Sequence, residues 1–266
     1  MISRRVFLKW TLFLAMLPSL ALAQQTTTAP PRDLRAIQIL REVMRAAGDS
    51  QSVAAIRDIV ETGEVKLEGG GGITGNVKIL ALDGHLFRMD MDLPRGRRTW
   101  IVKDGLGSKK EEGVSVPFSD LEAAYLDHFT FPLEYATAAL SDQATDVSLV
   151  STEKYGGKSV YRLRLKDPVG MDQNAKHGIP LTRDLLVNSV TFNIVCVEDH
   201  PVPAGLRRGK GLEPGLRQIE FSDFRGVSGV QVPFSIDIKL LGIEALSVRL
   251  TDVDLNAKLG DSDFSD

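Results

Sequence analysis

Residues 216–250 read LRQIEFSDFRGVSGVQVPFSIDIKLLGIEALSVRL. Within this stretch Val230, Val232, Phe234, Ile236, Ile238 and Leu240 take every second position, and Gln231, Pro233, Ser235, Asp237 and Lys239 fill the gaps. Period-two alternation over this length predicts a strand with one buried and one wet face. Ile219, Phe221 and Phe224 precede it across Arg225-Gly226-Val227-Ser228-Gly229, whose glycines and length predict a hairpin loop. Leu246, Val248 and Leu250 then alternate again. The stretch is a long antiparallel meander, and its apolar face needs a cover.

The same reading extends towards the N-terminus. Strands are expected over 59–67, 75–82, 85–93 and 99–103, with Asp83-Gly84, Pro94-Arg95-Gly96 and Asp104-Gly105 as turns. Phe87, Met89 and Met91 share one face of the third of these, and Arg88, Asp90 and Asp92 the other. Residues 146–155 and 158–166 predict a hairpin about Gly156-Gly157, and 185–197 a strand or two. Helices interrupt this pattern twice. Asp33 can cap a helix running to Ala47, with Leu34, Ile37, Leu40, Val43 or Met44, and Ala47 as its apolar stripe, and a short helix follows near 49–57. Pro117 to Leu140 reads as two helical pieces, with Pro132 suited to a first turn. Residues 167–180 and 200–215 read as long polar loops, and the acidic tail 261–266 as fraying. About ten strands without a βαβ rhythm predict an α+β fold. The expectation is one large curved antiparallel sheet with the N-terminal and mid-chain helices gathered on one face.

The chain has 266 residues, a net charge of −3 and a single cysteine, Cys196, so it forms no internal disulfide and relies on its core. Residues 1–23 carry Arg4, Arg5 and Lys9 and no acid, which leaves 29 basic against 35 acidic residues beyond them. An acidic domain without a basic stripe argues against a nucleic-acid partner. Ser3-Arg4-Arg5-Val6-Phe7-Leu8-Lys9, the apolar run from Trp10 to Leu22 and the small residues Ala21 and Ala23 are ordered as an export signal cleaved after Ala23. The apolar run is too short to span a bilayer. The Arg4-Arg5 segment resembles a twin-arginine signal; general secretion with two chance arginines is the alternative. The organisation expected is a signal peptide over 1–23, a linker over 24–32, one domain over 33–258 and an acidic tail over 259–266, in a periplasmic protein.

No catalytic or cofactor motif survives. Gly156-Gly157-Lys158-Ser159 has Thr152 where a phosphate-binding loop needs its first glycine, and a strand follows where a helix is required. Gly226-Val227-Ser228-Gly229 lacks the spacing of a nucleophile elbow. His85, His128, His177 and His200 show no metal-ligand spacing, Cys196 has no partner nearby in sequence, and Asp127-His128 and Asp199-His200 read as solvated pairs. The expectation is therefore no enzyme, no cofactor and no metal.

Two segments carry a family resemblance: Tyr155-Gly156-Gly157-Lys158-Ser159-Val160-Tyr161-Arg162-Leu163, and the run from Phe221 to Phe234, FSDFRGVSGVQVPF. With the order of elements from about Asp33 to Leu255 they resemble the LolA-like superfamily of periplasmic lipoprotein carriers. The resemblance implies a half-barrel with helices plugging its concave side and an apolar groove between them. It implies a lipid, acyl chain or lipoprotein as ligand, with transient membrane contact. The alternative on the same fold is an envelope-sensing or protein-interaction module with an envelope protein as partner, for which the loop 200–215 is the candidate surface. Groove candidates are Phe87, Met89, Met91, Trp100, Phe234, Ile236 and Ile238 from the sheet and Tyr125, Phe129 and Phe131 from the helical side; the same residues would also fill an ordinary core. The arginine that acts in the family's first strands has no unique counterpart here: Arg57 and Arg88 both qualify by position, and neither is assigned.

Overall fold

The computed structural model describes residues 32–48, 50–68, 71–119, 123, 126, 129–166, 181–201 and 217–265. The strands are β1 (Asp58–Leu67), β2 (Ile73–Leu82), β3 (Leu86–Leu93), β4 (Gly96–Lys103), β5 (Leu106–Glu111), β6 (Val114–Pro117), β7 (Asp146–Tyr155), β8 (Lys158–Lys166), β9 (Leu181–Asn188), β10 (Ile194–Pro201), β11 (Arg217–Val227), β12 (Val230–Leu240) and β13 (Ile243–Leu255). Among the described residues the continuous helices are α1 (Leu34–Ala47), α2 (Ser50–Ala54) and α3 (Leu133–Ser141), and a 3-10 turn spans Asp261–Phe264.

All 13 strands form one open antiparallel sheet in the order β6-β5-β4-β3-β2-β1-β13-β12-β11-β10-β9-β8-β7. Every neighbour is also a sequence neighbour except β1 and β13, so the sheet is two meanders stitched together by the first and last strands. The free edges are β6 and β7. The chain between them, which contains α3, runs from one edge to the other. Phe129, Phe131, Leu133, Tyr135, Ala136 and Ala139 place this strap on the same apolar face as β1–β4 and β8–β13, and α1 packs beside it. This is the curved antiparallel sheet with helices on one face that the strand pattern predicts, in the half-barrel form that the resemblance implies.

Several elements follow directly from local chemistry. The β11–β12 loop is tighter than the sequence suggests: β11 continues through Val227, leaving only Ser228 and Gly229, both at positive φ, as the two-residue turn. Asp33 caps α1, its Oδ1 accepting from Arg35 N at 2.7 Å and Ala36 N at 3.4 Å, while Oδ2 accepts from Leu149 N at 3.3 Å and ties the helix to β7.

Three expectations need correction. The buried stripe of α1 is Ala36, Ile39, Leu40, Val43 and Ala47, and Leu34 is 80 % exposed, because the helical period puts it on the far side of the helix from Val43. Residues 106–117, given no strand by the sequence, form the edge hairpin β5–β6, and Pro117 ends a strand instead of starting a helix. The acidic tail does not fray: Phe264 is buried against Leu80, Leu82 and Leu86 on the outer face, and Arg88 Nη1 donates to the carbonyls of Asp263 and Ser265. Residues 1–31, with Arg4, Arg5, Ala21 and Ala23, and most of the loops 167–180 and 200–215 lie outside the described residues.

Candidate ligand groove

Alternation in β3 turns Phe87, Met89 and Met91 inward, and alternation in β12 does the same for Phe234 and Ile236. The strap brings Phe129 and Phe131 down on them. All seven are buried in one apolar cluster, with Trp100 and Ile238 half-buried at its margin. Tyr125 lies outside the described residues. Phe87 and Phe129 meet edge to face with ring centroids 5.3 Å apart, an arrangement worth about 1 kcal/mol beyond the area it buries. Sheet and strap are therefore in direct contact at Phe87, and the candidates are brought together in one buried apolar cluster. Trp100 sits against Phe118 at 6.2 Å, and its Nε1 is buried without a hydrogen-bond partner.

The interior also holds a charge that the sequence reading passed over. Ile59, Glu61, Gly63, Val65 and Leu67 share the inward register of β1. Glu61 is 1 % exposed, and neither carboxylate oxygen has a hydrogen-bond partner among the described residues. Its cross-strand neighbours are Ile79 and Val253. Burial pushes its carboxyl up to about 7, against a lesser opposing effect of the nearby Thr130 hydroxyl, which makes no completed hydrogen bond to it. The signal was available: an acid two residues from Ile59 and four from Val65, on the apolar register of a strand already expected over 59–67.

At the far end of the same face Asp199 is fully buried between Arg183 and Arg217, its partners across β9 and β10–β11. Its Oδ1 accepts from Arg183 Nε at 2.6 Å and its Oδ2 from Arg217 Nε at 2.8 Å. Burial alone would raise the Asp199 carboxyl, and the two guanidiniums outweigh it and hold it below its usual range. The Arg183 guanidinium also lies over the Tyr135 ring of α3, 4.0 Å from its centroid. The solvated Asp199-His200 pair expected from the sequence is thus overturned: strand alternation sends Asp199 inward and leaves only His200 on the outer face.

The outer face carries an ion-pair network. Arg162 Nη1 donates to Asp184 at 3.1 Å and also to Glu198, Arg162 Nη2 reaches Glu153 at 2.8 Å, and Arg164 Nε reaches Asp184 at 2.7 Å. Ligand atoms of Asp184, Glu198 and His200 lie within 4.8 Å of one another, a grouping that adjacent-strand pairing creates and sequence spacing hides. The donor types suit a divalent cation, but the two carboxylates are already balanced by Arg162 and Arg164, which a metal would have to displace. Cys196 is buried nearby, its thiol pushed up to about 12 by burial, with a hydrogen bond to Tyr155 opposing the shift. Neither arginine left unassigned lines the groove: Arg57 pairs with Asp83 at 2.8 Å, and Arg88 pairs with Asp90 on the outer face at 2.9 Å.

An opening adjoins the interior. Between α1 and α3 lies a cleft of about 530 Å³ lined by Arg41, Met44, Arg45, Gly48, Thr137, Leu140 and Ser141. Met44 and Leu140 pack on the main apolar cluster, so the cleft floor is the edge of the interior, with two arginines at its rim.

No family model matches the chain, and no curated protein matches it. Solved structures do. A LolA superfamily protein of Nitrosomonas europaea is similar with a TM-score of 0.52 at 16 % identity, covering 87 % of this chain and 97 % of that one. A DUF1329 family protein of Desulfovibrio piger gives 0.51 at 12 % identity, covering 86 % and 97 %. A domain of Vibrio parahaemolyticus described as an outer-membrane lipoprotein-sorting protein gives 0.50 at 12 % identity, covering 87 % and 96 %. At these identities the likeness is one of fold, and it agrees with the open sheet and its covered concave face: the chain has the LolA-like half-barrel fold.

Proposed function

We propose that the chain is an exported, non-catalytic binding protein of the periplasm that holds a lipid, an acyl chain or a lipoprotein's acyl group between sheet and helices. The observation that carries this reading is the joining of the apolar interior to the α1–α3 cleft through Met44 and Leu140. Each methylene moved from water into such an interior contributes about 0.8 kcal/mol. A long acyl chain therefore supplies roughly 10 kcal/mol gross, against which the cost of parting strap from sheet is set. Because the interior is closed by Phe87–Phe129 contact, uptake requires that parting, and the net affinity stays modest enough for release. The similarity to a structure described as lipoprotein-sorting supports the same reading.

The test is mass spectrometry of organic extracts of protein purified gently from its own cell envelope. A stoichiometric acylated species is expected, and Met44→Asp, at the half-buried cleft floor, should reduce it several-fold while leaving the fold intact. A clean protein that also takes up no fluorescent fatty acid overturns the proposal. A second reading, a protein-interaction module, is favoured by the β12–β13 hairpin tip, where Leu241 and Ile243 are 64 % and 74 % exposed. It predicts a specific envelope protein in pull-downs that Ile243→Asp loses.

A further inference from the structure

We propose that the Glu61 carboxyl is the head-group anchor of this groove, and that it selects a single-chain amphiphile ending in a protonated amine over one ending in a carboxylate. The inference rests on the binding reading above. A buried carboxylate in a folded protein almost always has hydrogen-bond donors, and one without them costs stability that needs a reason. Glu61 has none on either oxygen at 1 % exposure. Its surroundings are apolar on every side the register defines. In a transverse row across the sheet Trp100 pairs with Met89, Met89 with Ile79, Ile79 with Glu61 and Glu61 with Val253. The strap contributes Thr130 above it. None of these side chains carries a charge.

An amphiphile entering between strap and sheet lays its chain along Met89 and Ile79 and brings its head to Glu61. An ammonium head supplies both the missing donors and a counter-charge, in a place where the desolvation of the carboxyl has already been incurred by the fold. A carboxylate head would set a second negative charge beside the first in a medium of low polarity, and one of the two would have to take up a proton. The groove thus discriminates by the sign of the head group, while the chain supplies the bulk of the affinity.

Calorimetric titration of the purified protein with dodecylamine and with dodecanoate, both below their micelle concentrations, tests this at about pH 8.5, above the value of about 7 to which burial pushes the Glu61 carboxyl and where the amine head is still protonated. The wild type should bind dodecylamine about tenfold or more tightly than dodecanoate. Glu61→Gln, which keeps the shape, should bring the two within about threefold. Glu61→Leu serves the same purpose if the glutamine variant fails to fold. Glu64→Gln, exposed on the same strand, should leave the preference unchanged. Equal binding of the two amphiphiles by the wild type, or a preference that survives Glu61→Gln, overturns the anchor and leaves the groove standing. Binding of neither overturns both.

Discussion

Glu61 couples the fold to pH in a direction opposite to most carboxylates. Its folded value, about 7, lies above the 4.5 of the free side chain. Below pH 4.5 the group is protonated in both states and costs nothing by ionisation. Between 4.5 and 7 the unfolded chain releases the proton and the folded one retains it, so stability falls as pH rises, by about 3 kcal/mol in all. Urea unfolding at pH 4.5 and pH 8 should show this loss in the wild type, and Glu61→Gln should remove most of it; an unchanged difference in the variant would show that Glu61 is not the group responsible. Strand alternation alone made Phe87, Met89 and Met91 legible as interior residues. The Asp199 cluster was not legible, because its partners Arg183 and Arg217 lie 16 and 18 residues away and meet it only through the register of β9, β10 and β11. Pairing of strands, which one sequence does not display, turned a surface-looking Asp-His dipeptide into half of a buried ion cluster.

Among the elements, the strands with an apolar face were readable and those without one were not. β12 alternates over its whole length, whereas β5 reads Leu-Gly-Ser-Lys-Lys-Glu and lies one strand in from the β6 edge, where neither face is fully covered, so no period appears. The helix α1 was found from its cap but with its stripe turned, since Ala36 counts little in an apolar pattern and yet faces the sheet. Gly63 was visible only as a glycine inside a strand; the structure supplies the reason. The β1–β13 register shifts at Thr62/Gly63, and a Cβ there would run into the Arg249 carbonyl and approach Leu250 Cα to 2.8 Å. Gly63→Ala should destabilise the protein by about 1–3 kcal/mol. Gly226→Ala, where the nearest atom is the flexible end of Gln231 at 3.7 Å, should be close to neutral. Thermal unfolding of the two variants separates them, and equal shifts would remove the bulge from the account of how β1 joins β13.

For the whole molecule the decisive feature is the strap. An open sheet of 13 strands has two free edges, and the chain that connects β6 to β7 must cross the concave face to reach the second. The alternation of the strands announced a face in need of cover, but the order of strands in the sheet, and hence the path of the cover, was beyond what periodicity encodes. If ligands enter by parting α1 from α3, pinning those helices together should block loading without altering the interior. Thr137 Oγ1 lies 3.7 Å from Met44 Sδ across the cleft, so the cross-link is placed there, between Met44→Cys and Thr137→Cys. The native Cys196 does not compete, since it is buried and burial pushes its thiol up to about 12. The oxidised double variant should take up a fluorescent acyl probe at least tenfold more weakly than the reduced one, and reductant should restore uptake. Equal uptake by the two forms, with the cross-link verified by mass, would mean that the cleft is no entrance and that the strap opens elsewhere along its crossing.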